Sequence, residues 1–318
     1  MDMAGTEALV MQCSESLKPL LEKLPSMSYG DVVKLYLWEG FWYTPLHLEA
    51  AKSIQENFIA KDDDILLASS LKTGTTWLKS LLVCIMGPQN LAESDDPLIK
   101  NHPAAYVQTL ETQTFIVDQK PDLSALPSPR LFHTHMAYNV LPDSVKNSGC
   151  KIVYLVRNPK DTFVSMWHFF NTVKKAEPGL FEMVFQGFCH GVVPFGPFFD
   201  HALQFWNESL KQPQKILFLK YEDLKSNPID QVKKLADFLG RPFENDEKAK
   251  EVLERCSLDR LKNLEVNKNG IDPWVKMQNS SFFRLGVVGD SKNILTPEMQ
   301  AQLDQIAKMK LEGSGLEI

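Results

Sequence analysis

Residues 65–86 read ILLASSLKTGTTWLKSLLVCIM. Residues 65–68 form a short apolar run without helical spacing, entered from an acidic turn at residues 61–64, which is the pattern of a buried strand. Beyond Ser70 the period changes. Trp77, Leu78, Leu81, Leu82 and Ile85 recur at helical spacing, with Thr75 or Thr76 available to cap the helix. Gly74 permits backbone angles closed to other residues and a close ligand approach. Strand, tight turn and helix in this order aim backbone N–H groups, a helix N-terminus, the hydroxyls of Thr73, Thr75 and Thr76, and Lys72 at one point, making an anion site. Nucleotide-triphosphate loops place their lysine after the glycines, directly before Ser or Thr. Here Lys72 precedes Gly74. Taken alone, the stretch also reads as a plain strand-to-helix turn with a surface lysine and a core Trp77.

The rest of the chain limits what such a site can serve. A length of 318 residues allows one large or two small domains, and neither a domain boundary nor an internal repeat is visible. Residues 1–30 are polar and read as a loosely held arm before a single domain over 31–318. A net charge of −6 argues against a general nucleic-acid binder, so any anion chemistry is local. Five widely spaced cysteines fit reduced thiols in a cytoplasmic protein. The first residues lack a signal-peptide pattern, and no apolar run has the length of a membrane span.

The strand, polar turn and helix pattern repeats. Residues 151–156, KIVYLV, lead into Arg157-Asn158-Pro159-Lys160-Asp161 and a helix carrying Ser165; Arg157 either faces the cleft or pairs locally with Asp161. Residues 215–219, KILFL, lead into Tyr221 and an amphipathic helix near 229–239. Ahead of both, residues 131–136, LFHTHM, are strand-like. His133 and His135 share a side there; no further metal ligands stand nearby, and a single histidine at a strand end is a better general base. Apolar strands alternating with helices predict an α/β fold with a parallel sheet flanked by helices. Ligands in such sheets bind at the strands' carboxyl ends, where Lys72, His135, Arg157 and Tyr221 fall. Phe41, Tyr43, Tyr106, His168, Phe170, Phe195 and Phe199 are candidates for an acceptor pocket, the first two also readable as core, and the Gly/Pro/Phe-rich residues 176–200 suggest a lid. Residues 282–290, FFRLGVVGD, offer an arginine and two glycines to a phosphate.

Together these stretches closely resemble the cytosolic sulfotransferases, the plant soluble branch in particular. The anchors are KTGTTW at 72–77, Thr134-His135, RNPKD with Ser165, KYEDL at 220–224 and FRLGVVGD at 283–290. The resemblance implies transfer of a sulfuryl group from 3′-phosphoadenosine 5′-phosphosulfate (PAPS) to a hydroxyl of a small molecule, as in plant secondary metabolism. It also implies a P-loop-like phosphosulfate site and no metal. Lys72, Thr73, Gly74, Thr75 and Thr76 would cradle the 5′-phosphosulfate, with Lys72 also catalytic. Arg157, Ser165, Arg284, Leu285 and Gly286 would surround the 3′-phosphate, Trp77 and Tyr221 the adenine, and His135 would be the base.

Four positions depart from the family pattern: Leu71 for proline, Leu258 for phenylalanine, Leu285 for lysine and Ser291 for tryptophan. They motivate a rival reading as a non-catalytic binding relative, against which the retained Lys72 and His135 speak. A nucleotide-dependent kinase would need acidic metal ligands, and residues 62–64 precede the strand. Animal relatives dimerise through a short C-terminal segment whose counterpart here, residues 292–301, is incomplete, so a monomer is expected.

Overall fold

The computed structural model describes residues 13–29, 33–88, 91–171, 179–274 and 276–318. Strands β1 (Ser26–Tyr29), β2 (Val33–Trp38) and β3 (Phe41–Tyr43) form a small antiparallel sheet. The main sheet contains β4 (Ile65–Ser69), β5 (Gln108–Thr109), β6 (Leu131–Thr134), β7 (Lys151–Val156) and β8 (Ile216–Lys220) in the order β5-β6-β4-β7-β8, with every pairing parallel. The chain leaves β4 toward β5 and β6 on one side, then crosses back to add β7 and β8 on the other. The reversal beside β4 opens a crevice at the carboxyl ends of the strands, where ligands of such sheets bind.

β4 is buried at every position because helices cover both faces of the sheet. Its side chains alternate between two apolar clusters. Leu66 and Ala68 join Phe132, Ile152, Tyr154 and Val156 on one face; Ile65 and Leu67 join Val153, Leu155, Leu217 and Leu219 on the other. The helix Thr75–Met86 packs into the second cluster through Leu78, Leu81, Leu82 and Ile85.

Two expectations change. Of the arm expected over residues 1–30, residues 1–12 and 30 lie outside the described residues. The remainder carries a helical turn at Lys18–Leu21 and strand β1, which pairs with β2 from Ser26↔Tyr36 to Tyr29↔Val33, and buries Leu17 and Tyr29. It belongs to the fold because these two side chains complete the first apolar cluster. The segment expected as a lid is core. Residues 172–178 lie outside the described residues, but Phe185 and Phe188 on Leu180–Cys189 and Phe198 and Phe199 on Phe198–Lys211 are buried. The turn between these helices is tied to β3 through Phe195 N–H to the Trp42 carbonyl (2.7 Å) and Trp42 N–H to the Gly196 carbonyl (2.9 Å).

Asp62, Asp63 and Asp64 stand at the amino end of β4 and are engaged there. Asp62 accepts from Gly149 N–H, Asp63 from the Ser128 hydroxyl, and Asp64 forms a buried pair with Arg130. They lie a strand's length from the turn that carries Lys72 and Gly74.

Candidate active site

The turn after β4 is built by two residues with left-handed backbone, Lys72 at φ 64° and Gly74 at φ 110°. Gly74, not Thr75 or Thr76, is the helix cap. The threonines are the first two helical residues, which leaves their hydroxyls free of the capping role. A β-carbon on Gly74 would stand 2.8 Å from the Tyr221 ring, so the loop needs glycine for contact with the residue that follows β8 as well as for φ.

Lys72 projects over the Phe169 ring at 3.8 Å and reaches Phe282 at 5.6 Å. Burial, and then repulsion from Arg284 and Arg157, push its ammonium down to about 7. Arg157 donates to the Val287 carbonyl (2.8 Å), stands 3.6 Å from Asp161 Oδ2 and lies 4.6 Å over the Tyr221 ring. Its buried Nε has no hydrogen-bond partner among the described residues. Arg157 thus touches Asp161, as the local-pair reading has it, and its guanidinium also lies over Tyr221, at the carboxyl ends of β7 and β8. Asp161 mainly accepts from Gly289 N–H (2.7 Å) and Ser291 N–H (2.9 Å). That pins residues 284–290 beside Arg157, with Arg284 paired to Asp290 at 2.6 Å. Ser165 is half-buried on the helix Pro159–Asn171. Gly286 has left-handed backbone at φ 62°, and a β-carbon there would displace the end of the Leu258 side chain, 2.8 Å away, and lie 3.7 Å from the Tyr221 hydroxyl. Trp77 meets Tyr221 edge-on at 5.7 Å. Three mutually repelling cations, an orphaned guanidinium nitrogen and an aromatic edge therefore fit a ligand with anionic groups and a flat ring.

His135 follows β6 immediately, and its position is set on three sides. Its N–H donates to Glu111 Oε1 (2.6 Å), its carbonyl accepts from His201 Nε2 (3.0 Å), and its Nδ1 lies 2.8 Å from the Ser69 carbonyl. A carbonyl only accepts, so Nδ1 carries the proton and Nε2 keeps a free lone pair. Burial pushes this imidazole down to about 3, which keeps it neutral at pH 7. Glu111 sits on the π-helical turn Leu110–Thr114 and also accepts from the Thr134 hydroxyl. Burial pushes its carboxyl up to about 7 against those hydrogen bonds.

The chain matches the sulfotransferase domain family over residues 62–315. It is 42% identical to cytosolic sulfotransferase 5 of Arabidopsis thaliana over 312 residues, covering 95% of this chain and 96% of that protein. The chain belongs to the sulfotransferase family. Its fold superposes on the crystal structure of a candidate steroid sulphotransferase from Arabidopsis thaliana with a TM-score of 0.77 at 32% identity, covering 96% of this chain and 98% of that one. A mouse sulfotransferase complexed with PAP gives 0.70 at 29% identity, covering 88% and 95%.

In this sulfotransferase the candidate acceptor residues divide. Phe195, at φ 62°, packs against His135 at 5.4 Å, His47 at 5.1 Å and Tyr43 at 5.5 Å. Phe41 meets His201 at 5.9 Å. The Tyr43 hydroxyl is buried without a hydrogen-bond partner among the described residues. Phe199 stacks edge-on against Phe198, and Phe170 lies at 6.2 Å from Tyr29 in the same apolar cluster. Tyr106 does not join them. It packs on the opposite face of the sheet, and its hydroxyl donates to the Pro97 carbonyl at 2.9 Å. His168 is one turn beyond Ser165; burial and then Arg284 hold its imidazole below the ordinary value, while Asp290 opposes them. Among the described residues no three His, Cys, Asp or Glu side chains gather as a metal-binding group.

Sequence reasoning missed Glu111, Ser69, His201, Phe169 and Phe282. Glu111 and His201 reach His135 only through loop and helix placement, for which order along the chain carries no signal. Phe169 was within reach of the sequence, since it neighbours Phe170 in the helix that begins after Arg157.

Proposed function

We propose that this chain transfers the sulfuryl group of PAPS to a hydroxyl of a small apolar acceptor, with His135 as general base and Lys72 as the principal cation at the leaving group. The observation that carries this reading is the His135 tautomer: the ring is held through Nδ1 on Ser69, the last residue of the strand that leads into the loop bearing Lys72, which leaves Nε2 bare. When bound, the donor supplies a sulfur–oxygen bond whose phosphate leaving group gains charge as that bond breaks. His135 takes the acceptor's proton through Nε2 as the hydroxyl attacks, and the Ser69 carbonyl steadies the imidazolium through Nδ1–H. Lys72 and the loop N–H groups stabilise charge on the leaving oxygen. Arg157, Arg284, Ser165 and the backbone at Leu285 and Gly286 hold the 3′-phosphate, while Trp77 and Tyr221 flank the adenine. Phe195 and Tyr43 lie beside His135 and favour a flat, largely apolar acceptor. The naming of relatives as cytosolic supports a cytoplasmic enzyme. Incubation with labelled PAPS and a panel of hydroxylated metabolites tests the reading: transfer to none of them, together with no binding of adenosine 3′,5′-bisphosphate, would overturn it.

The position of Leu285 tests the 3′-phosphate assignment. Leu285 is 48% exposed, so a lysine fits without repacking and its charge is partly screened. A charge-assisted hydrogen bond is worth ~1.5–3 kcal/mol, and exposure brings the gain to the low end. Leu285→Lys should therefore tighten adenosine 3′,5′-bisphosphate binding by roughly tenfold at low salt, with the gain shrinking as salt is added. Equal calorimetric affinities for the two proteins would show that the position acts through its backbone alone.

We also propose a monomer. The segment that joins animal relatives is here a short helical turn, Asp290–Asn293, followed by the helix Pro297–Leu311, without the glutamate of that contact. Light scattering at micromolar concentration should return the 36.1 kDa chain mass, and twice that value would refute it.

A further inference from the structure

A buried polar chain runs beneath the anion loop and ends in it. Lys79, one turn into the helix Thr75–Met86 and buried, donates from Nζ to Thr109 Oγ1 at 2.8 Å. Thr109 Oγ1 is 3.0 Å from His133 Nδ1, and His133 Nε2 is 3.0 Å from Ser69 Oγ. Ser69 Oγ is 2.8 Å from Thr75 Oγ1. The direction of these bonds follows from their first member. Burial pushes Lys79 down to about 7, with Glu111 and Asp272 favouring the charged form against it; while charged it only donates, so the Thr109 hydroxyl accepts from it and spends its own proton on His133 Nδ1. Nε2 then carries the imidazole proton and donates to Ser69, whose hydroxyl donates to Thr75. The Thr75 proton is left pointing out of the chain, into the loop. The reverse polarity would have Thr109 accept from both neighbours, and no hydrogen bond among the described residues would then take its proton, a costly state for a buried hydroxyl.

We propose that Lys79, acting through Thr109, His133 and Ser69, is a positioning residue that holds the Thr75 hydroxyl as an outward donor to the transferring group. The inference rests on the assignment of residues 72–76 as the phosphosulfate cradle. An oriented donor helps most where charge develops during transfer, because it needs no reorganisation at that moment. His133 thereby has a role distinct from His135. The rings lie 4.5 Å apart, yet one carries its proton on Nε2 to orient a donor and the other on Nδ1 to leave a base exposed.

The imidazole tautomer reads the polarity directly, without turnover. Nitrogen-15 spectra of histidine-labelled protein at pH 6, where Lys79 is charged, with His133 assigned by its loss in His133→Gln, should show a protonated Nε2 and a bare Nδ1; a protonated Nδ1 would overturn the proposal. Kinetics test the consequence. Lys79→Met should lower kcat roughly tenfold, less than the ~10²–10³ cost of deleting such a donor, with KM for PAPS within about threefold. An unchanged kcat would remove Lys79 from the role. Thr109→Val should cost a comparable factor in the wild type but under about twofold in a Thr75→Val background, where no hydroxyl remains to orient. Equal losses in both backgrounds would mean a structural effect only. Should Thr109→Val fail to fold, the tautomer and Lys79→Met still decide. Binding of adenosine 3′,5′-bisphosphate roughly tenfold weaker to Lys72→Met than to wild type checks the cradle separately, so failure of the relay and failure of the site can be told apart.

Discussion

His135→Ala is expected to lower kcat by ~10²–10⁴, the ordinary cost of losing a general base. An alcohol or phenol is a poor nucleophile until its proton leaves, and Nε2 of His135 is free to take it because Nδ1 is committed to the Ser69 carbonyl. In the proposed mechanism the residue meets the acceptor and not the nucleotide, so affinity for adenosine 3′,5′-bisphosphate should stay within about threefold, well short of the tenfold that one charged contact is worth. Stopped assays with labelled PAPS, paired with calorimetry, measure both quantities. A variant retaining more than about a tenth of the wild-type rate, far above that range, would remove His135 from the base role. Loss of binding alongside loss of rate would point instead to collapse of the contacts that Glu111 and His201 make with its backbone.

Lys72→Met should weaken binding and turnover together, with kcat falling ~10²–10³ through loss of a cation at the leaving oxygen. The free site also makes a prediction about protons. Burial and repulsion from Arg284 and Arg157 push Lys72 down to about 7, so at pH 8 the side chain is largely neutral in the unliganded protein. An anion beside it favours the charged form and raises that value. Binding of adenosine 3′,5′-bisphosphate at pH 8 should therefore take up a proton, seen as a calorimetric heat that varies with the ionisation enthalpy of the buffer. At pH 6, where Lys72 is already charged, its uptake should vanish. The methionine variant should show no such difference between the two pH values; a difference equal to wild type would assign the proton to another group, His168 beside Arg284 being the nearest alternative.

The anion loop, the parallel sheet and the four strand-end residues were legible in the sequence because each rests on local pattern. An apolar strand run, a glycine at the turn and helical spacing afterwards specify strand, loop and helix without reference to the rest of the chain. Parallel pairing then places Lys72, His135, Arg157 and Tyr221 at one edge, since all four follow strands of one sheet. Residues 282–290 were a weak signal for the opposite reason. Their place beside Arg157 depends on Asp161 accepting from Gly289 and Ser291, a contact spanning well over a hundred residues. The aromatic residues show the same limit. Phe195 reaches His135 and Tyr106 does not, although both looked equal in the sequence, because the side of the sheet on which each lies is settled by packing. Which proton sits on which imidazole nitrogen is likewise decided by tertiary structure. His133 and His135 are two residues apart in the same short segment, yet a carbonyl partner puts the proton of one on Nδ1 and a lysine-led hydroxyl chain puts that of the other on Nε2. Residue type determined that this chain could hold an anion and a base; only the folded arrangement determined which atoms face the reaction.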